Sequence, residues 1–144
     1  EHPFYRWDLN LGIMARAKQA IEKGKETEIF KLADKKVQNI DLDIIIQAAE
    51  KGDELAKELI RKTGISLGVR LAYLINLLDP ELVIIGGGME KAGSFILAPI
   101  KETVKKWAFN HSLKKVKIVP AQIGEEVVAI GAANLVTRQM FTSV

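Results

Sequence analysis

The chain has 144 residues, 48% of them apolar, and a formal net charge of +3 at pH 7, a size at which one domain can bury a substantial core. It contains no cysteine, which excludes disulfides and thiolate metal sites. No apolar run approaches the roughly 20 residues of a membrane span, and residues 1–20 do not resemble a signal peptide. We therefore expect a soluble, cytoplasmic protein that does not contact a membrane.

The excess of positive charge is partly local. It is concentrated in a lysine cluster formed by Lys101, Lys105, Lys106, Lys114, Lys115 and Lys117. Neither an arginine-rich run nor interleaved aromatic residues accompany these lysines. The pattern therefore predicts a solvated helix face rather than a nucleic-acid surface.

The first half of the chain predicts helices. Apolar residues at helical spacing indicate a helix over Leu9–Lys23 that stops at Gly24. A short helical turn is expected over Thr27–Leu32. Asp41 is a candidate N-cap for a further helix, which ends at Gly52.

The longest helical pattern runs over Asp53–Leu78, with one apolar face. Gly64, Gly68 and Ala72 recur at intervals of four and form a second stripe, on which Asn76 also lies. Each interior glycine costs about 0.8–1 kcal/mol relative to alanine. The stripe therefore indicates a surface that another helix or strand approaches closely. The alternative is a break near Gly64 that leaves two shorter helices.

A strand followed by three glycines marks the candidate site. Asp79-Pro80 ends the long helix, and Leu82–Ile85 is an apolar run typical of a parallel strand covered on both faces. The run is followed at once by Gly86, Gly87 and Gly88. Ligands of open α/β sheets bind at the carboxyl ends of strands, but the phosphate patterns GxxxxGKS/T and GxGxxG are absent. The residues thus predict either a plain strand-to-helix turn or a glycine wall against a base or ribose.

A helix and a second strand follow the glycines. We expect a loop over Met89–Gly93, an N-cap at Ser94 and a helix over Ser94–Phe109. Its predicted buried face consists of Ile96, Leu97, Ile100, Val104, Trp107 and Ala108. Val116–Val119 predicts a strand next to and parallel with Leu82–Ile85, joined to it by a right-handed crossover.

A last helix is predicted over Val127–Met140, opened by the acidic segment Gly124–Glu126 at its positive end. Its small residues indicate close packing against a neighbour; they are Ala129, Gly131, Ala132 and Ala133.

Two strands alone make a poor sheet, and no strand is predicted in residues 1–80. The first segment, Glu1–Asp8, is rich in aromatic residues and begins without a methionine. We therefore expect the chain to be a piece of a longer polypeptide, natural or excised, whose missing strands lie upstream.

Four sequence blocks resemble one known family: Ala48–Ile60, Ser66–Gly93, Ala98–Val104 and Ile130–Leu135. They resemble the C-terminal half of the ROK family of sugar kinases and sugar-responsive transcriptional repressors. The resemblance implies an α/β fold, namely the helix-rich C-terminal part of an actin-like ATPase (ribonuclease H-like) domain that lacks its first strands. It divides the chain, a single domain or fragment, into a variable helical lead-in over residues 1–40 and a ROK segment over residues 41–144.

The resemblance also implies site residues. It places the three glycines at the adenosine of ATP, which the full-length protein would bind with Mg, and Lys91 would add weak charge assistance. Glu1 is a candidate for contact with sugar hydroxyls. The family's phosphate-binding turn and catalytic aspartate have no match in this sequence. Its zinc site of one histidine and three cysteines has none either, since the chain lacks cysteine and its only histidines are His2 and His111. Four aspartates lack any partner pattern, so we assign no catalytic residue and no zinc site; they are Asp8, Asp34, Asp41 and Asp43.

Three functions remain open from the sequence. The first is the nucleotide-side half of an ATP-dependent hexose kinase, inactive alone. The second is the effector-binding and dimerisation domain of a repressor, with DNA contact only through an upstream helix-turn-helix. The third is a dimerisation module. The expected partners are the missing N-terminal half or a complementing chain, a second copy in a homo-oligomer, and a hexose or amino-hexose.

Overall fold

The computed structural model describes the backbone of residues 9–122 and 127–142, with side chains over 12–122 and 130–138. The predictions for Glu1, Asp8 and Gly124–Glu126 lie outside these residues. The helices are α1 (Leu9–Glu22), α2 (Glu28–Leu32), α3 (Leu42–Glu50), α4 (Glu54–Leu78), α5 (Ser94–Trp107), α6 (Asn110–Leu113) and α7 (Val127–Thr142). Two strands, β1 (Leu82–Ile85) and β2 (Lys117–Pro120), and two 3-10 helices, Val37–Asn39 and Met89–Ala92, complete the described chain. The helix-rich α/β architecture is confirmed.

The predicted helices of the first half are present, and Asp41 caps α3 as expected. Asp41 accepts a hydrogen bond from the Ile44 N–H at 2.8 Å and begins α3. Asp53 accepts one from the Ala56 N–H at 2.7 Å and begins α4, and Thr27 caps α2. Because α4 runs unbroken for 25 residues, the alternative of a break near Gly64 is wrong.

The glycine stripe of α4 packs directly against α5, as predicted. A Cβ atom added at Gly64 would lie 2.7 Å from Pro99 Cγ, and one added at Gly68 would lie 2.7 Å from Thr103 Cβ. Pro99 lies inside α5 and is buried. The close approach of the two helices accounts for both glycines.

The two strands pair in parallel, with Leu82 opposite Lys117 and Ile85 opposite Pro120, which confirms the predicted parallel pairing. The bounds of β2 lie one residue further along the chain than predicted. The handedness of the crossover stays a prediction. Within the described residues the two faces of β1 are not both covered, in contrast to the sequence prediction. Ile85 is buried, whereas Leu82 and Ile84, which share the other face, are 52% and 60% exposed. Residues 9–80 contain no strand, so nothing in that part of the chain extends the sheet.

Three details around α5 differ from the sequence prediction. Met89–Ala92 is a 3-10 helix rather than a loop, and Gly93, not Ser94, occupies the N-cap position of α5 without a side-chain cap. Ile96, Ile100 and Val104 are buried as predicted, but Trp107 is 54% exposed. Periodicity identifies the side of a helix that is apolar, but not how far its partner extends along it.

The close packing predicted for the last helix is also absent from the described residues. Residues 130–138 of α7 are all exposed, and a Cβ at Gly131 would meet no atom within 4 Å. Small residues permit a close neighbour without supplying one. No helix among the described residues has the length and apolar character needed to cross a membrane.

Candidate functional site

The glycine turn follows the carboxyl end of β1, at the buried residue Ile85. Gly87 has φ +76° and Gly88 has φ +89°, which is the left-handed region that side-chain-bearing residues rarely adopt. A Cβ at Gly86 would make only an ordinary contact, 3.5 Å from the Ala121 Cβ. The backbone therefore requires glycine at two of the three positions.

The N-terminal end of α3 forms one wall of this turn. The Leu42 Cδ2 atom would lie 3.3 Å from a Cβ added at Gly88. Lys91 Nζ lies 3.1 Å from Asp43 Oδ1 and 3.3 Å from Asp43 Oδ2. The lysine is therefore already paired, and its suggested role as a charge partner for a ligand is not supported by this geometry.

Gly87 faces open space. Among the described residues, no heavy atom lies within 4 Å of a Cβ built at this position. A flat group can thus approach the backbone here without displacing a side chain. Gly24 and Gly52 also combine positive φ with open space, so this geometry admits both the glycine wall and the plain strand-to-helix turn.

The 3-10 helix after the glycines holds the turn against the core. Met89 and Ala92 are 3% and 2% exposed, so the turn is anchored on the side away from solvent. Within the described chain, the buried Glu90 Oε2 has no hydrogen-bond partner, which is a costly arrangement for a polar atom. The 3-10 helix thus contains one side-chain acceptor without a partner among the described residues.

Three of the four aspartates named from the sequence lie among the described residues, and two of them have structural partners. Asp41 caps α3, Asp43 pairs with Lys91, and Asp34 lies in a turn with φ +53°. Among the described residues, no three His, Cys, Asp or Glu side chains are grouped so that they could hold a metal ion. The site as described can recognise a shape against backbone, and the carboxylate and ammonium groups beside it, Asp43 and Lys91, form an ion pair with each other. The position of Glu1 lies outside the described residues.

The sequence did not reveal three contributors to the site: Leu42, Asp43 and Ala121. Leu42 and Ala121 contact the glycines, and Asp43 pairs with Lys91, each across more than 30 residues of sequence. No local pattern marks such positions, because their proximity is created by the packing of α3 and by the pairing of β2 with β1.

Comparisons with known proteins agree on one family. The family model described as "ROK family" matches residues 12–139. The glucokinase of Halalkalibacterium halodurans is 30% identical over 128 residues, which cover 89% of this chain and 38% of that protein. The DNA-binding transcriptional dual regulator NagC of Escherichia coli K12 is 27% identical over 135 residues, covering 94% of this chain and 32% of the regulator.

A solved structure gives the same picture. The ROK family glucokinase of Streptomyces griseus, in complex with glucose and AMPPNP, superimposes with a TM-score of 0.73 at 31% identity. The match covers 85% of this chain and 40% of the glucokinase. The chain therefore spans well under half the length of each of these relatives.

Proposed function

The chain belongs to the ROK family, and on that premise we propose that it is the nucleotide-side half of an ATP-dependent hexose kinase, inactive by itself. The observation that carries this proposal is the turn after β1. Gly87 and Gly88 hold left-handed backbone conformations, and the space beside Gly87 is open among the described residues. An adenosine placed there would contact backbone rather than side chains.

The proposed nucleotide-binding residues are Gly86, Gly87 and Gly88. The similarity to a glucokinase solved with AMPPNP supports this assignment. ATP would arrive with Mg, but the described residues offer no carboxylate cluster for the ion. The phosphates, the metal and the acceptor hydroxyl are therefore assigned to the rest of a full-length protein, and this chain contributes only the position of the base and ribose.

A second polypeptide segment is the proposed partner of the sheet. Leu82 and Ile84 expose an apolar face, and β1 pairs on one side only in the part of the chain described. We propose that the N-terminal half, or a complementing chain, covers this apolar face and pairs a strand with the free edge of β1. The same proposal includes the division of the chain into a lead-in over residues 1–40 and a ROK segment over 41–144. It also includes assembly as a homo-oligomer, a cytoplasmic location, and contact of Glu1 with the hydroxyls of a hexose or amino-hexose.

The second candidate is the effector-binding and dimerisation domain of a sugar-responsive repressor. Similarity to NagC favours it, because that match covers 94% of this chain. In this case DNA binding would require a helix-turn-helix elsewhere in the full-length protein.

One set of assays on the full-length protein separates the two candidates. ADP release is measured with ATP and Mg in the presence of glucose or N-acetylglucosamine, alongside nucleotide titration. A full-length kinase forms ADP only when both ATP and a sugar are present. Residues 1–144 alone should form no ADP, and should bind ATP in the millimolar range or undetectably. Sugar-responsive DNA binding without ATP binding or ADP formation would instead identify a repressor.

A further inference from the structure

An open groove of about 570 Å³ lies between α5, α6 and β2, on a different part of the chain from the glycine turn. Its floor is apolar. Val104 and Ile118 are 1% and 8% exposed, and Leu113 and Val116 are partly buried against the same core. We call this feature the lysine groove, because its rim consists of Lys101, Lys105 and Lys117.

The three rim lysines are exposed, and none of them forms an ion pair within the described residues. Lys101 and Lys105 are four residues apart on α5, a spacing at which like charges repel and weaken a helix slightly. The fold therefore gains no ion pair from these charges and bears a small electrostatic cost. Their uncompensated charge favours an occupant that carries carboxylates.

The backbone of β2 argues against a strand as the occupant. The N–H groups of Lys117 and Ala121 donate to Glu81 and Ile85 of the β1 side. In an alternating strand, Ile118 and Pro120 therefore direct their backbone groups to the outer edge. Since proline has no N–H, this edge offers too few donors for an added strand.

We propose that the lysine groove binds an acidic amphipathic helix of a partner protein. Apolar residues spaced by three and four would rest on Val104, Leu113 and Ile118, as in other helix-in-groove complexes. Glutamate or aspartate side chains on the helix flanks would face Lys101 and Lys105 on one side and Lys117 on the other. The proposal is independent of the nucleotide assignment, because the groove does not include the glycine turn.

The probe is a fluorescent synthetic peptide of about four helical turns, with leucine on one face and glutamate on both flanks. A second peptide carries lysine in place of every glutamate. Each is titrated against the full-length protein by fluorescence anisotropy at low and at moderate salt. We expect the acidic peptide to bind at least about tenfold more tightly than the basic one, with affinity that falls as salt rises.

Two variants locate the binding. The triple variant K101E/K105E/K117E should weaken the acidic peptide about tenfold or more, whereas the matched triple variant K23E/K36E/K51E, which changes exposed lysines away from the groove, should weaken it less than about threefold. Val116→Thr keeps the shape of the floor but adds a hydroxyl, and should weaken binding about threefold. Thermal unfolding confirms that each variant is folded.

Several results would overturn the proposal. Equal losses in the two triple variants, or no effect of Val116→Thr, would indicate non-specific attraction to positive charge. Concentration-dependent dimerisation that K101E/K105E/K117E abolishes, measured by light scattering, would make a second copy the occupant.

Discussion

Gly68 and Thr103 bring α4 and α5 together at a distance that leaves no room for a side chain on α4. A Cβ built at Gly68 would lie 2.7 Å from Thr103 Cβ and 2.9 Å from the Ile100 carbonyl oxygen. The same arrangement recurs one turn earlier, where Gly64 faces Pro99 and the Ile96 carbonyl oxygen. Because backbone atoms cannot move aside as a flexible side chain can, these contacts fix the spacing of the two helices that flank β1 in the sequence.

The first prediction concerns this contact. Gly68→Leu should lower the free energy of unfolding by about 2 kcal/mol or more, since overpacking forces the helices apart, and Gly68→Ala should also be destabilising. The matched control is Gly12→Ala in α1, where a Cβ meets nothing within 4 Å. That change should raise stability by about 0.5–1 kcal/mol. Urea unfolding of the three variants measures both effects, and equal stabilities for Gly68→Ala and the parent would contradict the contact.

The second prediction tests the nucleotide assignment. In the full-length protein, Gly87→Val should raise the KM for ATP about tenfold or more, which corresponds to about 1.4 kcal/mol, because the new side chain occupies the base site. Sugar binding should stay nearly unchanged. Titrations with nucleotide and with sugar supply the two readings.

Backbone strain is the main alternative cause of any loss at Gly87, so the control carries the same strain elsewhere. Gly24→Val changes a glycine with φ +81° that also has open space around it, at the end of α1. It should leave both affinities unchanged. Loss of sugar binding with normal nucleotide binding in Gly87→Val would move the glycines out of the nucleotide site.

The third prediction concerns the open face of the sheet. If the N-terminal half covers Ile84, then Ile84→Lys should destabilise the full-length protein by about 2 kcal/mol or more, because an unpaired charge is buried. Glu81→Lys places a lysine at an exposed position next to β1, with a larger change of net charge, and should change stability by less than about 0.5 kcal/mol. Similar melting temperatures for Ile84→Lys and the parent would show that this face is solvated.

The fourth prediction concerns Asn76, which joins the ends of two helices. Its Nδ2 group donates to the Trp107 carbonyl oxygen at 3.2 Å, and its Oδ1 accepts from the Phe109 N–H at 2.8 Å. Asn76→Ala should cost about 1 kcal/mol of stability.

Asn76→Asp is informative because it keeps one of these bonds. It retains the acceptor for Phe109 but places a negative charge at the C-terminal end of α5, so it should be at least as destabilising. Chemical denaturation ranks the two variants, and a neutral Asn76→Ala would show that water replaces both bonds without loss.

The fifth prediction is a pH dependence at Asp53. Partial burial opposes ionisation of this carboxyl, but hydrogen bonds from the Ala56 N–H, the Glu28 N–H and the Thr27 hydroxyl outweigh it, so its pKa is lowered from 3.8. A lowered folded-state pKa means that the stabilisation is fully present above 3.8 and is lost as the pH falls through the folded-state pKa.

In Asp53→Asn an NH2 group replaces one of the two accepting oxygens, so stability should fall by about 1 kcal/mol at neutral pH, and the difference from the parent should shrink as the pH falls below 3.8. Asp34→Asn, at an exposed carboxylate in a turn, controls for the loss of one negative charge. A difference that stays constant with pH would mean that the ionised form of Asp53 carries no extra stability.

The sequence by itself determined the local elements and their order. Proline, glycine and capping aspartates act on their immediate neighbours, so Asp41, Asp53 and Gly24 could be recognised as helix boundaries from spacing alone. The stripe of Gly64 and Gly68 could be interpreted because an interior glycine is unfavourable unless something comes close. The strand followed by three glycines indicated a candidate site for a similar local reason.

Only the tertiary structure decided which surfaces meet. The pairing of Lys91 with Asp43, the contact of Leu42 with Gly88 and the exposure of Trp107 and of Ile84 all depend on how distant segments pack. A residue's own type and spacing carry no record of the partner that covers it, because burial is a property of the assembled chain. For the same reason the lysines at 101, 105 and 117 predicted only a solvated face, and the structure was needed to place them around one apolar groove.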